Sequence, residues 1–386
     1  MRNPIPYSCQ DISEADIAAV LAVLRAPFLT QGPAVPQFEA ELASIHQLAH
    51  GVAVANATAG LHLACLALGA GPSALVWTSP NSFVASANCA RYCNADVDFV
   101  DIDPRSRNIS IEALASKLAA AEQAGRLPDI VIPVDFAGYP CDWEEIKNLA
   151  DRYGFRTIAD SSHAVGASYR GEPVGKYADI TILSFHPVKI ITTGEGGMCL
   201  TNDSALADQM QRMRSHGITR NPAQMVGESE GPWYYEQIEL GYNFRMTDIQ
   251  AALGSSQLSK LVERAEIRNA RAMRYDSQLA DLPLLLPARS SDRMSAHHLY
   301  VIEIDETRTD LDRATLFDHL RGEGIAPNVH YAPIHLQPDY RRLGFAPGNF
   351  PNAEHYYHRA ITIPLYPTMT DDEQDHVIAA LKRATF

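Results

Sequence analysis

The sequence lacks several features that would assign it to a common class of protein. None of its 386 residues lies in an apolar run approaching the ~18 residues that a membrane-spanning helix needs. Basic residues are not in excess: the formal net charge of −14 argues against general affinity for nucleic acid or anionic membrane. The N-terminal segment, MRNPIPYSCQDISEADIAA, has no long apolar core. We therefore expect a soluble, cytoplasmic protein with no nucleic-acid or membrane partner.

Motifs for metals and several cofactors are also missing. The six cysteines show no C-x-x-C spacing, which favours reduced, buried thiols over disulfides or a zinc site. His355 and His358 could share a helix face, but without further ligands in view we expect no metal site. No Walker A, G-x-S-x-G or H-E-x-x-H motif occurs. Residues 69–74 match G-x-G-x-x-A, but in helix-to-strand order, the reverse of a dinucleotide fingerprint.

What the sequence does contain is a long alternation of strand-like and helix-like segments. From about residue 51 to 202, short β-branched or apolar runs alternate with helical runs, which predicts a mostly parallel central sheet flanked by helices. Past a long helical stretch that begins near Thr247, a shorter set of strands and helices predicts an α+β unit. We therefore predict an α/β protein with a large domain, N-terminal segment included, over residues 1–250 and a smaller C-terminal domain over 251–386.

One lysine lies in unusual surroundings. Lys189 belongs to the run ILSFHPVKIITTGEGG, and Glu195 is the only other formally charged residue between Asp179 and Asp203. Poor solvation disfavours an ammonium ion, lowers its pKa and makes the neutral, nucleophilic amine accessible, as imine formation requires. The alternative is a surface lysine whose stem packs while its charged head reaches water.

Two further features would complete a pyridoxal phosphate site. Asp160 closes the strand-like run RTIAD one strand before Lys189, so both side chains should lie at the carboxyl edge of the sheet. A carboxylate on the pyridine nitrogen keeps that ring protonated, while a lysine bonds to the aldehyde. The segment NATAG lies between a strand and a helix, where free N–H groups favour a phosphate, and Thr58 and Ser184 could add hydroxyls. Helix capping is the alternative role for Asp160 and Thr58.

With these residues assembled, the chain resembles the DegT/DnrJ/EryC1/StrS family of sugar aminotransferases, which are pyridoxal-phosphate-dependent transferases of fold type I. The resemblance covers nearly the whole chain and is most specific in TSPNSFVASANCARYC, ADSSHAVGASYRGEPVG, SFHPVKIITTGEGG and LGYNFRMTDIQAALG. Within the family, these motifs look most similar to the UDP-4-amino-4,6-dideoxy-N-acetyl-β-L-altrosamine transaminases of pseudaminic acid biosynthesis.

The resemblance implies roles for individual residues. Catalysis would depend on Lys189, which would hold pyridoxal 5′-phosphate covalently, on Asp160 at the pyridinium nitrogen, and on His163 near the ring hydroxyl. The other implied cofactor contacts are Thr58, Ala59, Phe83, Ser184 and Asn243. Asn243 would reach the phosphate from the partner subunit, so the active sites of a homodimer would be shared. The candidate contacts to the sugar nucleotide are Tyr7, Gln31, Arg245, His330 and Tyr331, with Arg214, His216 and Arg220 as further candidates for the diphosphate.

The reaction implied by the resemblance is amino transfer from L-glutamate to C4 of a UDP-linked 4-keto-6-deoxy-N-acetylhexosamine. A second reading keeps the reaction and changes the sugar to a 4-amino-arabinose or perosamine type. Sugar dehydratases of the family typically carry histidine where Lys189 stands, so the lysine argues against dehydration. A non-catalytic module of a transcription regulator would need an added DNA-binding domain, for which we expect no room at either terminus.

Overall fold

The structure, a computed structural model, describes residues 4–385. Its strands are β1 (Ile5–Pro6), β2 (His50–Val54), β3 (Leu75–Thr78), β4 (Asp96–Phe99), β5 (Ile130–Ile132), β6 (Arg156–Asp160), β7 (Ser168–Tyr169), β8 (Glu172–Pro173), β9 (Ile180–Ser184), β10 (Gly197–Thr201), β11 (Ile218–Thr219), β12 (Glu236–Gln237), β13 (Leu284–Leu285), β14 (Arg293–Met294), β15 (Tyr300–Ile304), β16 (Ile325–Ala326) and β17 (Ala360–Ile363). Its α-helices are α1 (Glu14–Leu24), α2 (Ala34–Ile45), α3 (Ala57–Ala67), α4 (Ala85–Tyr92), α5 (Ile111–Gln123), α6 (Trp143–Tyr153), α7 (Ser204–Arg214), α8 (Asp248–Leu258), α9 (Leu261–Leu279), α10 (Arg313–Gly322), α11 (Pro338–Arg341), α12 (Pro351–Arg359) and α13 (Asp371–Thr385).

Seven strands form the central sheet in the order β2-β10-β9-β6-β5-β3-β4. Neighbouring strands are parallel except at β10, which runs antiparallel to both β2 and β9. Each of these strands falls in a run that the sequence predicts as strand-like, so the mostly parallel sheet is confirmed. Because β6 and β9 are parallel neighbours, with Asp160 opposite Ile182, the carboxyl ends of these two strands lie side by side.

Helices cover both faces of this sheet. Successive residues of a strand point to opposite faces, so each strand contributes side chains to the packing on both sides. On β2, Val52 and Val54 belong to the apolar cluster that includes residues of α3, α4 and α7. Ala53, between them, belongs instead to the cluster that includes residues of α2 and α8. Strands buried on both faces read as continuous apolar runs, which is the pattern seen in ITILS and GMCLT.

A smaller antiparallel sheet, in the order β13-β15-β17, packs with α9, α10 and α13. Strand β1, near the N-terminus, pairs in parallel with β16 and so lies beside this unit. A shared apolar cluster joins the two units: Phe99 and Phe136 pack in it with Leu299 and Tyr340. The domain boundary between residues 250 and 251 stays a prediction, because α8 packs against α1 and α2 while α9 contributes to the small unit.

Local capping explains where several helices begin. Ser13 and Asp16 form a reciprocal capping box at the start of α1. Thr247 does the same for α8. The segment FLTQGPAVP contains the start of α2, at Ala34. Proline is tolerated in a first helical turn, where its missing N–H would have no partner.

Several features bear on membranes and metals. In the part of the chain between residues 4 and 385, no helix combines the length and apolar character needed to cross a bilayer. The same residues contain no group of three or more His, Cys, Asp or Glu side chains arranged to hold a metal. His355 contacts Glu306 instead, at 3.1 Å. All six cysteines are free thiols, and five of them are buried.

Gly197 offers a test of how closely β10 approaches the first turn of α3. A Cβ atom at this position would lie 2.7 Å from the backbone nitrogen of Ala57, closer than real Cβ contacts. We expect Gly197→Ala to lower the free energy of unfolding by about 1–3 kcal/mol, the usual range for overpacking. Urea denaturation measures this loss. Gly71→Ala is the control, since nothing lies within 4 Å of a Cβ there; an equal loss in both variants would contradict the close approach.

Candidate active site

A cleft of about 490 Å³ opens where the ends of β6 and β9 meet the first turn of α3. This volume suits a small molecule, since such sites usually measure about 300–1,000 Å³. The cleft brings together most of the residues singled out in the sequence: Tyr7, Thr58, Phe83, Asp160, His163, Ser184, Lys189, His330 and Tyr331. Their distances along the chain are large, so the fold assembles them into one site.

Lys189 lies in the turn that follows β9, and its Nζ is 3.4 Å from Nε2 of His298. Burial lowers the pKa of Lys189 from its ordinary value to about 7, although the nearby charge of Asp160 acts in the opposite direction. At neutral pH a substantial share of this side chain is therefore the neutral amine, which is both a nucleophile and a base.

Asp160 ends β6, and only 5% of the residue is exposed. One carboxylate oxygen accepts a hydrogen bond from Ser86 Oγ at 2.6 Å, and the other accepts one from the N–H of Ser162 at 3.2 Å. Ser86 is itself 2.7 Å from the hydroxyl of Ser82. These bonds hold the carboxylate in a fixed orientation at the cleft, which a capping role alone would not require.

His163 is buried and held as a neutral imidazole. Its Nδ1 accepts a hydrogen bond from the N–H of Ala137 at 3.2 Å, so the ring proton resides on Nε2, 3.3 Å from the hydroxyl of Tyr331. Burial, then the charge of Lys189, and then the charge that His330 gains when protonated keep the pKa of His163 well below its ordinary value. The ring thus presents an N–H donor toward the cleft.

The first turn of α3 provides a place for an anion. Asn56 caps the helix, and its Oδ1 accepts a hydrogen bond from the N–H of Ala59 at 2.8 Å. The N–H groups of Ala57 and Thr58 have no acceptor within residues 4–385. Free N–H groups and the helix dipole favour a phosphate at such a terminus. A neutral amine, an oriented carboxylate and an anion site together fit pyridoxal phosphate.

Other predicted residues lie outside the cleft of the single chain. These are Gln31, Ala59, Asn243 and Arg245. Gln31 and Asn243 are exposed, and the N–H of Ala59 is already bonded to Asn56. Arg245 donates to the hydroxyl of Ser215 at 3.0 Å. Their roles stay predictions, as do those assigned to the residues inside the cleft.

The cationic residues proposed for a diphosphate do not line the cleft of the single chain. Arg214 is paired with Glu39 and donates to the carbonyl oxygen of Ala53 at 2.6 Å. His216 and Arg220 are exposed, and the guanidinium of Arg220 lies 5.8 Å from the ring centre of Tyr235. In the single chain, none of these three side chains lines the cleft.

Sequence reasoning missed several residues at the site, and two of them contact its charged groups through their side chains. Ser86 reaches Asp160 from α4 across 74 residues of sequence, and His298 reaches Lys189 across 109. The pair HH in SAHHLY, just before a predicted strand, was the only available signal for His298. No spacing rule connects it to a lysine in another part of the chain.

Comparisons with known proteins agree with this geometry. The profile of the DegT/DnrJ/EryC1/StrS aminotransferase family matches residues 10–382. The chain is 37% identical over 381 residues to the spore coat polysaccharide biosynthesis protein SpsC of Bacillus subtilis strain 168, covering 98% of this chain and 96% of SpsC.

Solved structures are similar over nearly the full length. Helicobacter pylori PseC, an aminotransferase involved in the biosynthesis of pseudoaminic acid, gives a TM-score of 0.90 at 30% identity and covers 99% of each chain. The PLP form of Streptococcus pneumoniae Spr1654 gives a TM-score of 0.87 at 30% identity, covering 99% of this chain and 98% of that one. The predicted fold, that of fold-type I pyridoxal-phosphate-dependent aminotransferases, is thereby confirmed.

Replacement of Asp160 tests the electrostatics of the cleft. Because the Asp160 charge raises the pKa of Lys189, we expect Asp160→Asn to lower that pKa below about 7. Half of the Lys189 side chains would then be neutral at a lower pH than in the wild type. Acetylation of the cofactor-free protein with acetic anhydride between about pH 5 and 9, read by peptide mass spectrometry, measures the titration.

Asp375→Asn is the control, since Asp375 is an exposed carboxylate of α13 that contacts Arg274. It should leave the acetylation profile of Lys189 unchanged. A profile that shifts to higher pH in Asp160→Asn, or that does not move, would contradict the proposed interaction.

Proposed function

The chain belongs to the DegT/DnrJ/EryC1/StrS aminotransferase family and is a pyridoxal-phosphate-dependent transaminase, as its motifs predict. From that premise we propose a specific reaction. It transfers the amino group of L-glutamate to C4 of a UDP-linked 4-keto-6-deoxy-N-acetylhexosamine, giving a UDP-4-amino sugar for pseudaminic acid biosynthesis. The observation that carries the proposal is a half-buried Lys189 whose amine is desolvated to a pKa of about 7 in one cleft with Asp160. The likeness to PseC supports the choice of sugar.

The residues of the cleft suit the parts of the cofactor. When bound, pyridoxal 5′-phosphate supplies an electrophilic aldehyde and a protonated ring that accepts electrons. Lys189 would hold it covalently, Asp160 would pair with its ring nitrogen, and His163 would donate toward its ring hydroxyl. Thr58, Ala59 and Ser184 would belong to the phosphate site, in which the free N–H groups at the start of α3 would bind the anion. Phe83, 57% exposed on the cleft, would contact the ring.

Lys189 also moves protons. It takes a proton from Cα of glutamate in one half of the reaction and delivers one to C4 of the sugar in the other. A general acid and base works best when its pKa lies near the working pH, because both charge states are then populated. The burial that lowers the pKa of Lys189 to about 7 meets this requirement.

Aromatic and imidazole side chains at the other end of the cleft suit a sugar. Tyr7 and His330 lie with ring centres 5.2 Å apart, next to Tyr331. Burial raises the pKa of both tyrosines, so their hydroxyls stay protonated and can donate hydrogen bonds. The hydroxyl of Ser8 donates to the carbonyl oxygen of Val188 at 3.1 Å, which ties the N-terminal segment to the turn that carries Lys189.

A spectroscopic experiment tests cofactor, donor and acceptor together. We expect purified protein with pyridoxal phosphate to show a visible absorption band that glutamate removes. The band should return with the UDP-linked 4-keto-6-deoxy-N-acetylhexosamine and not with nucleotide 4-keto sugars that lead to 4-amino-arabinose or perosamine. Lys189→Ala should lose turnover, because no other side chain in the described cleft combines a nucleophilic amine with acid and base function.

Lys176→Ala is the matched control, since Lys176 pairs with Glu172 on the protein surface. It should retain wild-type turnover. Wild-type turnover in Lys189→Ala would overturn the assignment of the lysine. A band restored only by a perosamine-type or 4-amino-arabinose-type precursor would keep the reaction and replace the proposed sugar.

We also propose that two chains form a homodimer with shared active sites. Asn243 is exposed, and the segment before it carries exposed apolar side chains, among them Val226 at 92%, Trp233 at 70% and Leu240 at 78%. Helix α1 exposes a further apolar row that includes Leu21. Apolar surface of this kind on a protein commonly marks an interface with a partner.

Complementation between two inactive variants tests the shared site. We expect Asn243→Ala to weaken phosphate binding in the neighbouring subunit and to lower activity strongly, while Lys189→Ala inactivates its own. A mixture refolded together should regain activity, because some hybrid dimers would combine an intact Lys189 from one chain with an intact Asn243 from the other. Monomeric protein by analytical ultracentrifugation, or no recovery in verified hybrids, would contradict the proposal.

A further inference from the structure

His298 makes an unusual set of contacts beside Lys189. The residue is 2% exposed, and its Nε2 lies 3.4 Å from Nζ of the lysine. Its Nδ1 has no hydrogen-bond partner among the side chains and backbone of residues 4–385. The contact with Lys189 is thus the single hydrogen bond that the described structure offers this buried ring.

Two other histidines of the cleft, His163 and His330, differ in this respect. His163 is anchored by the N–H of Ala137, and His330 has its Nδ1 2.7 Å from the hydroxyl of Thr362. Each therefore has a polar partner that is not Lys189. A buried imidazole whose only partner is the lysine is not accounted for by packing alone, because buried polar groups normally find partners within the fold.

The backbone around His298 is held firmly. Arg268, 1% exposed on α9, donates to the carbonyl oxygens of His297 at 3.1 Å, His298 at 3.4 Å and Leu365 at 2.9 Å. The N–H of the next residue, Leu299, donates to the carbonyl oxygen of Ala137 at 3.3 Å. These hydrogen bonds fix the backbone of His298, and with it the position of the imidazole, independently of what occupies the cleft.

The charges that face His298 keep its ring neutral. Burial has the largest effect on its pKa, which lies well below the ordinary value. The charge of Lys189, that of Arg268 and any charge that His163 or His330 gains on protonation act in the same direction. The His163 ring lies 4.5 Å away, centre to centre. A neutral imidazole offers a lone pair to an ammonium and, in its other tautomer, an N–H to a neutral amine.

We propose that His298 is a positioning residue, whose Nε2 holds the side chain of Lys189 by a hydrogen bond whenever that lysine is not bonded to the cofactor. The role in turnover rests on the proposed transaminase function. The contact itself is a property of the cofactor-free protein. The contact keeps the amine of Lys189 within the cleft after its release from the cofactor. There the amine can move protons between carbon atoms.

Two substitutions separate positioning from packing. His298→Leu fills similar space and removes both ring nitrogens, whereas His298→Gln retains an amide oxygen that can accept a hydrogen bond from Nζ. His46→Leu is the matched control: His46 is also 2% exposed, its Nδ1 is bonded to the carbonyl oxygen of Val174 at 2.8 Å, and its Nε2 has no partner among the described residues.

The first measurement is the titration of Lys189 in cofactor-free protein, by acetylation with acetic anhydride and peptide mass spectrometry. A hydrogen bond to the ammonium stabilises the charged form, so its loss in His298→Leu should lower the pKa of Lys189 by about one unit. His298→Gln should recover most of the shift, and His46→Leu should show none. An unchanged titration in His298→Leu would overturn the proposal.

The second measurement is the half-reaction with glutamate, which needs no sugar. In His298→Leu we expect the rate constant to fall about tenfold or more, the range for loss of a well-placed acid or base, while half-saturation by glutamate changes less than about threefold. His298→Gln should be faster than His298→Leu. An equal loss of rate in His46→Leu, or no rescue by glutamine, would overturn the proposal in favour of a packing role.

The two readouts also separate this inference from the proposed function. A shifted titration in a protein that transfers no amino group to any 4-keto sugar would support the Lys189–His298 contact and overturn the proposed reaction. An active enzyme in which Lys189 titrates identically in His298→Leu and wild type would support the proposed reaction and overturn the Lys189–His298 contact.

Discussion

The site depends on the desolvation of one ammonium group beside one carboxylate. Parallel pairing of β6 with β9 brings Asp160 and the turn carrying Lys189 to the same edge of the sheet. Burial lowers the pKa of the lysine to about 7, and the Asp160 charge prevents a larger fall. The side chains that line the cleft, among them His163, His298 and Tyr331, create that low-dielectric environment.

The same burial acts on the histidines around the lysine. It lowers the pKa of His330 to about 4 and those of His163 and His298 well below the ordinary value, so these rings are neutral at physiological pH. Among the described residues that line the cleft, only Lys189 is of a type that is ordinarily cationic. A diphosphate-bearing sugar therefore needs positive charge from elsewhere, which agrees with a proposed contribution from a second chain and with the commitment of Arg214 to Glu39.

The parts of this site that follow from local pattern could be predicted from the sequence. Strand-like runs locate Asp160 and Lys189, because the end of a parallel strand is a position that periodicity can identify. The start of α3 likewise identifies Thr58. Contacts set by tertiary packing could not be predicted: Ser86 and His298 reach the site across 74 and 109 residues. The boundaries of α2 and the pairing of β1 with β16 escaped prediction for the same reason.

Asp160 and His298 act on the lysine in different ways, and the difference matters during turnover. Asp160 supports the ammonium by its charge, but in the proposed function that charge is shared with the protonated ring nitrogen of the cofactor. Its support for the ammonium would then be weaker, which would favour the neutral amine that acts as a base. A neutral imidazole keeps its hydrogen bond under both conditions. His298 can therefore fix the position of Nζ while Asp160 adjusts its basicity.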